Sequence, residues 1–224
     1  MEQFTAGKED GGFQMTKEQA LEKKLEQVKW QFPNHVVFKK NEKVYHFDPD
    51  KFDENSIFSQ TGLKVFKEKD GNVALYDPEY FKIDLDGDFV YKGTATEKIP
   101  QPINLKSCFG SFYRCKCGTI DLSDWDFSEV TSIRYMFYRS DAKTIILGNA
   151  DFAKCESFAH CFNGCYTLEE LVLGNYKIPL EANVDGMLSD CSELRKRYRK
   201  PTEELTTIFK SGKWNTLQPR MEAF

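Results

Sequence analysis

Ile120-Asp-Leu-Ser-Asp-Trp-Asp-Phe-Ser-Glu-Val-Thr-Ser-Ile-Arg-Tyr-Met-Phe-Tyr-Arg-Ser140 decides how this chain is read, because its apolar residues recur at a fixed interval. Ser111-Phe-Tyr-Arg-Cys115, Met136-Phe-Tyr-Arg-Ser140, Cys161-Phe-Asn-Gly-Cys165 and Met187-Leu-Ser-Asp-Cys191 align at separations of 25, 25 and 26 residues. Leu122, Leu147 and Leu173 keep that interval, as do Phe127, Phe152 and Ile178, and Ile133, Phe158 and Val184. Several apolar columns in one register mark a structural repeat, since a single unit cannot bury its greasy face alone. The strand-like pieces Ile120-Asp-Leu122, Ile145-Ile-Leu147 and Leu171-Val-Leu173 place the period within the roughly 20–29 residues of leucine-rich repeats.

Working outward, Thr16 and Gln19 form a capping box ahead of Leu21, Leu25 and Val28, so a helix is predicted from about Lys17 to Trp30, stopped by Pro33. Val36–Phe38 and Val44–Phe47 flank a hairpin loop. Asp70-Gly71 and Asp86-Gly87 predict two further hairpins with two-residue type I′ turns. Residues 1–14 are polar and expected to be disordered, residues 15–93 to form a helix-plus-hairpins α+β domain, and residues 94–102 to link it to the repeats at 103–194. Residues 195–224 are expected to be a cap, with a helix over Pro201–Lys210 stopped by Gly212. The expected fold class is an α+β N-terminal domain followed by a short leucine-rich-repeat solenoid, three repeats of about 25 residues with parallel strands, and a helical C-terminal cap. Asp124, Asn149 and Asn175 share one position after the strands and are read as turn-bonding residues.

The Ile120–Ser140 stretch resembles the unit of the BspA-like leucine-rich-repeat family, roughly L-D-L-S-N-W-D-T-S-x-V-T-x-M-x-x-M-F-x-x-C. The resemblance spans about residues 105–194 and wears down along the chain, where Gly148-Asn-Ala-Asp-Phe and Gly174-Asn-Tyr-Lys-Ile stand in place of Ser-Asn-Trp-Asp-Thr. It implies a β-rich, non-enzymatic binding module. Many members are bacterial surface proteins that contact host or matrix proteins, which makes a surface adhesin one of the alternatives.

Composition narrows the function. The 224 residues carry 31 Lys+Arg against 35 Asp+Glu, a net charge of −4 with a pI near 5.6, which argues against direct nucleic-acid binding. Mean hydropathy is −0.57 and no apolar run is long enough to cross a membrane. Met1–Asp10 shows neither a basic nor an apolar leader segment, so a cytoplasmic location is expected. The seven cysteines, all from Cys108 onward, are read as free, structural thiols rather than zinc ligands, because Cys115, Cys165 and Cys191 fall at equivalent repeat positions with Ser140 in the fourth. Asp84-Leu-Asp86-Gly-Asp88 fails as a calcium loop, with Phe89 and Ala95 at its sixth and twelfth positions. His35, His46 and His160 sit in no catalytic spacing and no phosphate-binding glycine loop occurs, so no enzyme, cofactor or metal is expected.

What remains is protein binding by a monomeric chain. If Ile120, Ile145 and Leu171 face inward, Asp121, Ile146 and Val172 face outward, bordered by Thr119, Thr144 and Glu170. An apolar strip with acidic edges predicts either a partner-docking face or a surface covered by the N-terminal domain or the tail. Asp77, Glu79, Asp84, Asp86 and Asp88 form an acidic patch that suits a basic partner. Asp121, Asp124, Asp126 and Glu129 form a second acidic run, and Arg195–Lys200 is a basic block. The runner-up is a phage or mobile-element inhibitor that occupies the basic groove of a nucleic-acid enzyme.

Overall fold

The computed structural model describes residues 15–93, 98–148, 150–173 and 178–211. Two compact units divide it, Met1–Phe52 and Asp53–Phe224. In the first, helix α1 (Lys17–Gln31) starts on the expected capping box: Gln19 N donates to Thr16 Oγ1 at 3.1 Å and Thr16 N to Gln19 Oε1 at 2.9 Å. Strands β1 (Val36–Lys40) and β2 (Lys43–Phe47) pair antiparallel across Asn41 and Glu42, both left-handed with φ of 49° and 57°. Among its described residues Leu25, Val36 and Phe38 are buried.

The second unit opens with helix α2 (Glu54–Thr61), capped by Asp53 at its start and by Gly62, at φ 72°, at its end. Two antiparallel hairpins follow, β3 (Lys64–Lys67) with β4 (Val73–Tyr76) and β5 (Phe81–Ile83) with β6 (Phe89–Tyr91). Their loops are not the expected two-residue turns. Glu68 N donates to Asn72 O and Gly71 N to Glu68 O, and the same pair of bonds links Asp84, Asp88 and Gly87. Of the loop residues only Gly71 and Gly87 are left-handed, whereas a type I′ turn needs positive φ at both central positions. The double left-handed turn sits instead at Asn41-Glu42, where the sequence carries no glycine.

Strands β7 (Thr119–Asp121), β8 (Thr144–Ile146) and β9 (Glu170–Val172) form one three-stranded parallel sheet. Ile120, Ile145 and Leu171 stand opposite one another in it and are buried. A second line of parallel bridges joins Ser107, Ser132, Ser157 and Asn183. Beside it, Phe112 N donates to Met136 O, Phe137 N to Cys161 O and Phe162 N to Met187 O, at 2.7–2.9 Å. The rings of Phe112, Phe137 and Phe162 stack in a column at 5.4 and 5.2 Å. Helices α3 (Ser192–Tyr198) and α4 (Thr202–Lys210) follow, and Leu194, Leu205 and Phe209 bury themselves in the same core.

The fold class is therefore mixed: among the described residues there are three short antiparallel hairpins, one three-stranded parallel sheet and four helices. This corrects the expectation of an α+β domain followed by a three-repeat leucine-rich solenoid with a helical cap. Regular parallel strand is limited to three residues in each of three strands. Residues Tyr76, Phe81 and Phe89 share one continuous core with Phe112, Phe137 and Phe209, so the β3–β4 and β5–β6 hairpins, the parallel sheet and the helices α3 and α4 bury their apolar faces together. Ile99 and Leu105 also belong to that core, and Trp125 Nε1 donates to Ile99 O at 2.8 Å.

The first row of bridged chain ends against a side chain. Thr131 N donates to Lys106 O and Glu156 N to Thr131 O, so each row supplies an acceptor to the next. Lys106 N and Ser107 N instead donate to the carboxylate of buried Glu68, at 3.0 and 2.6 Å. Burial raises the Glu68 pKa, and these two backbone donors and Asn72 only partly offset it. Asn149 and Asn175 of the proposed turn column, residues 1–14 and 94–97, and Gly212 lie outside the described residues. Among the described residues no helix is long and apolar enough to cross a membrane.

Candidate functional site

The strand face places the six outward residues together in register, Thr119 beside Thr144 and Glu170, and Asp121 beside Ile146 and Val172. Val172 is 38 % exposed, Glu170 is exposed, and Thr119, Asp121, Thr144 and Ile146 are half-buried. Asp121 accepts from Ser123 N at 2.9 Å, and the Ser123 hydroxyl together with this backbone donor holds its carboxyl below the usual range. The result is a narrow apolar pair, Ile146 and Val172, between an aspartate and a glutamate.

Two acids of the second acidic run, Asp124 and Glu129, are ion-paired. Lys98 pairs with Asp124, and Glu129 takes both Lys106 and Lys154, which lowers its pKa. In the basic block, Lys196 pairs with Glu193 and Lys200 with Glu204.

The first acidic patch divides in two. Asp77 accepts from Glu79 N at one end of β5, whereas Asp84, Asp86 and Asp88 stand at the other end, in the loop before β6. Those three aspartates form one wall of a cleft of about 380 Å³; Phe109, Tyr113, Tyr135 and Tyr138 form the other. Asp84 Oδ1 accepts from both Asp86 N and Asp88 N, which fixes the loop that carries the carboxylates. The only ion pair reaching them among the described residues is Lys69 to Asp88, at 4.0 Å. On the aromatic side, Tyr113 stacks on Tyr138 at 5.6 Å with ring planes 5° apart, and Tyr135 meets Tyr138 edge-on at 5.2 Å. Tyr135 is left-handed at φ 56°, a conformation that side-chain-bearing residues seldom adopt. Sequence reasoning found the acidic half of this cleft and missed the aromatic half. The available signal was that Tyr113 and Tyr138 repeat at the 25-residue interval in an outward position.

Among the described residues no group of three or more His, Cys, Asp or Glu is placed to hold a metal. Cys115 and Cys117 are joined by a disulfide, their Cα atoms 5.7 Å apart, which corrects the expectation of seven free thiols. The other five are buried, and burial pushes Cys155 up to about 11 and Cys165 up to about 12, far from a reactive thiolate at neutral pH. Cys165 and Cys191 pack in one column, their thiols donating to Phe137 O and Phe162 O at 2.9 and 3.1 Å.

A family described as "Mycoplasma protein of unknown function, DUF285" matches residues 104–216, just over half of the chain. The chain belongs to the DUF285 family. The DUF285 segment carries β7–β9, α3, α4 and the aromatic wall of the cleft, while the aspartates that face that wall precede it. Comparison with curated proteins and with solved structures gives no match.

Proposed function

We propose that this DUF285 protein is a non-catalytic, cytoplasmic interaction module that captures another protein on the face of β7–β9. The observation that carries the reading is Val172, exposed beside half-buried Ile146 with Asp121 and Glu170 at the margins. Strand residues that look outward and stay apolar lose free energy to water, and a partner that covers them recovers it. The likeness of Ile120–Ser140 to BspA-like repeats supports the same class of activity. Buried thiols of raised pKa and the lack of any nucleophile–base spacing support a role without chemistry.

The test is retention of a partner on immobilised full-length chain, compared between wild type and Ile146→Asp/Val172→Lys. The double variant is expected to lose the partner while its unfolding midpoint stays near wild type, since neither side chain belongs to the fully buried core. Retention of the partner by a folded double variant would refute the reading. Docking through an apolar strip also predicts only slight weakening in salt; a steep decline would point to charge alone.

A further inference from the structure

The cleft between the β5–β6 loop and the tyrosines is a second site, and its chemistry is more specific than that of the strand face. Its lining holds three carboxylates, four aromatic residues, Val90 and Gly110, and no lysine or arginine. We infer that it receives the cationic side chain of a lysine- or arginine-bearing segment of a partner protein.

Three features select that occupant. Carboxylates and aromatic rings lining one cleft are a receptor for an ammonium or guanidinium group, which pairs with the acids and packs against the rings. The chain already places its own cations on these rings. Lys69 Nζ stands 5.4 Å from the Phe109 centroid and 4.0 Å from Asp88, and Arg114, Arg134 and Arg139 lie 5.1–5.2 Å from the centroids of Tyr113, Tyr135 and Tyr138. Lys69 has a side chain 91 % exposed, so it is a tethered stand-in that an incoming cation displaces at little cost. Third, Leu85 projects fully into solvent between Asp84 and Asp86 and offers an apolar contact to the backbone or stem of a bound peptide. A nucleic-acid strand would bring its phosphates against three aspartates, and a bare metal ion would leave the rings unused. A volume of about 380 Å³ sits at the lower end of ligand sites, room for one long side chain rather than a large cofactor.

The site is independent of the strand face and is tested separately, by anisotropy of fluorescein-labelled octaarginine and octalysine titrated with the full chain at low ionic strength. Asp86→Asn/Asp88→Asn is expected to weaken binding roughly tenfold, the loss of charge-assisted contacts. Tyr113→Leu should weaken it about two- to fivefold while Tyr113→Phe keeps it, because the ring and not the hydroxyl faces the cation. Lys69→Met should tighten binding by removing the one internal cation that also reaches the aspartates among the described residues. The charge-matched pair Glu181→Gln/Asp185→Asn, outside the cleft, should leave affinity unchanged, as should Ile146→Asp/Val172→Lys. The inference is overturned if the charge-matched pair weakens binding as much as the cleft pair, if Tyr113→Leu binds like wild type, or if a labelled oligothymidylate binds and neither peptide does.

Discussion

Alanine at position 137 removes the middle ring of the Phe112–Phe137–Phe162 column. Phe137 has no solvent exposure, and its ring lies 5.4 Å from Phe112 at 16° and 5.2 Å from Phe162 at 2°. Truncation of a fully buried phenylalanine costs about 3–5 kcal/mol, from lost transfer free energy plus the cavity left behind. Two stacked partners, each worth about 0.5–1.5 kcal/mol beyond burial, place this site in the upper part of that range, near 4 kcal/mol. With a urea slope of about 2 kcal/mol/M, the unfolding midpoint falls by roughly 2 M, a large fraction of what a domain with about 5–15 kcal/mol of stability has to lose. Far-UV circular dichroism follows the transition, with emission from Trp125, 5.9 Å from Phe112, as a local report. Phe137→Leu keeps most of the volume without the ring and should cost about 1–2 kcal/mol. If Phe137→Ala unfolds within about 1 kcal/mol of wild type, the column does not hold the rows together and the packing argument fails.

Two further substitutions probe single polar groups. Ser111 is completely buried and its hydroxyl has no hydrogen-bond partner, so Ser111→Ala should raise stability by about 1 kcal/mol in thermal unfolding; a drop would mean that the hydroxyl is bonded. Glu68 has a folded-state pKa above its ordinary value of 4.5, so between those two values the folded chain holds a proton that the unfolded chain releases. Its share of stability is therefore present below the ordinary glutamate range and declines as pH rises through the raised value. Wild type should gain in unfolding midpoint relative to Glu68→Gln as pH falls from neutral toward that range; a difference constant with pH contradicts the assignment. Asp121 and Glu129, with lowered values, act in the opposite sense but titrate alike in both proteins and drop out of the difference.

Local signals in the sequence translated well where a side chain acts on its own backbone. Thr16 and Gln19 start α1, and Pro201 stands at the N-cap of α4. The spacing of Ile120, Ile145 and Leu171 reads directly as parallel register, because each buried residue must meet its counterpart one strand away. Helix α2 was invisible to periodicity: its eight residues bury only Ile57 and Thr61, too few for an apolar stripe, and only Asp53 and Gly62 marked its ends. The fold class was misjudged because the repeat signal spoke for the β7–β9 segment and said nothing of Phe81 and Phe89, which enter the same core from the hairpins. Turn type failed for a similar reason. A dipeptide such as Asp70-Gly71 fits a three-residue loop with one left-handed glycine as readily as a two-residue turn, and the pairing of Lys67 with Val73 decides between them. The aromatic wall is not legible in the sequence because Tyr113 and Tyr138 fall within the repeated motifs, and only the folded loop of Asp84–Asp88 gives it an opposing face.

Glu68 has one more consequence. Backbone donors left open at the margin of a bridged array are templates onto which a strand from another molecule can add, and such additions repeat into fibres. At Lys106 and Ser107 that invitation is withdrawn by a carboxylate delivered from the β3–β4 hairpin, 38 and 39 residues earlier in the chain. Glu68 thereby occupies the two donors that an added strand would need.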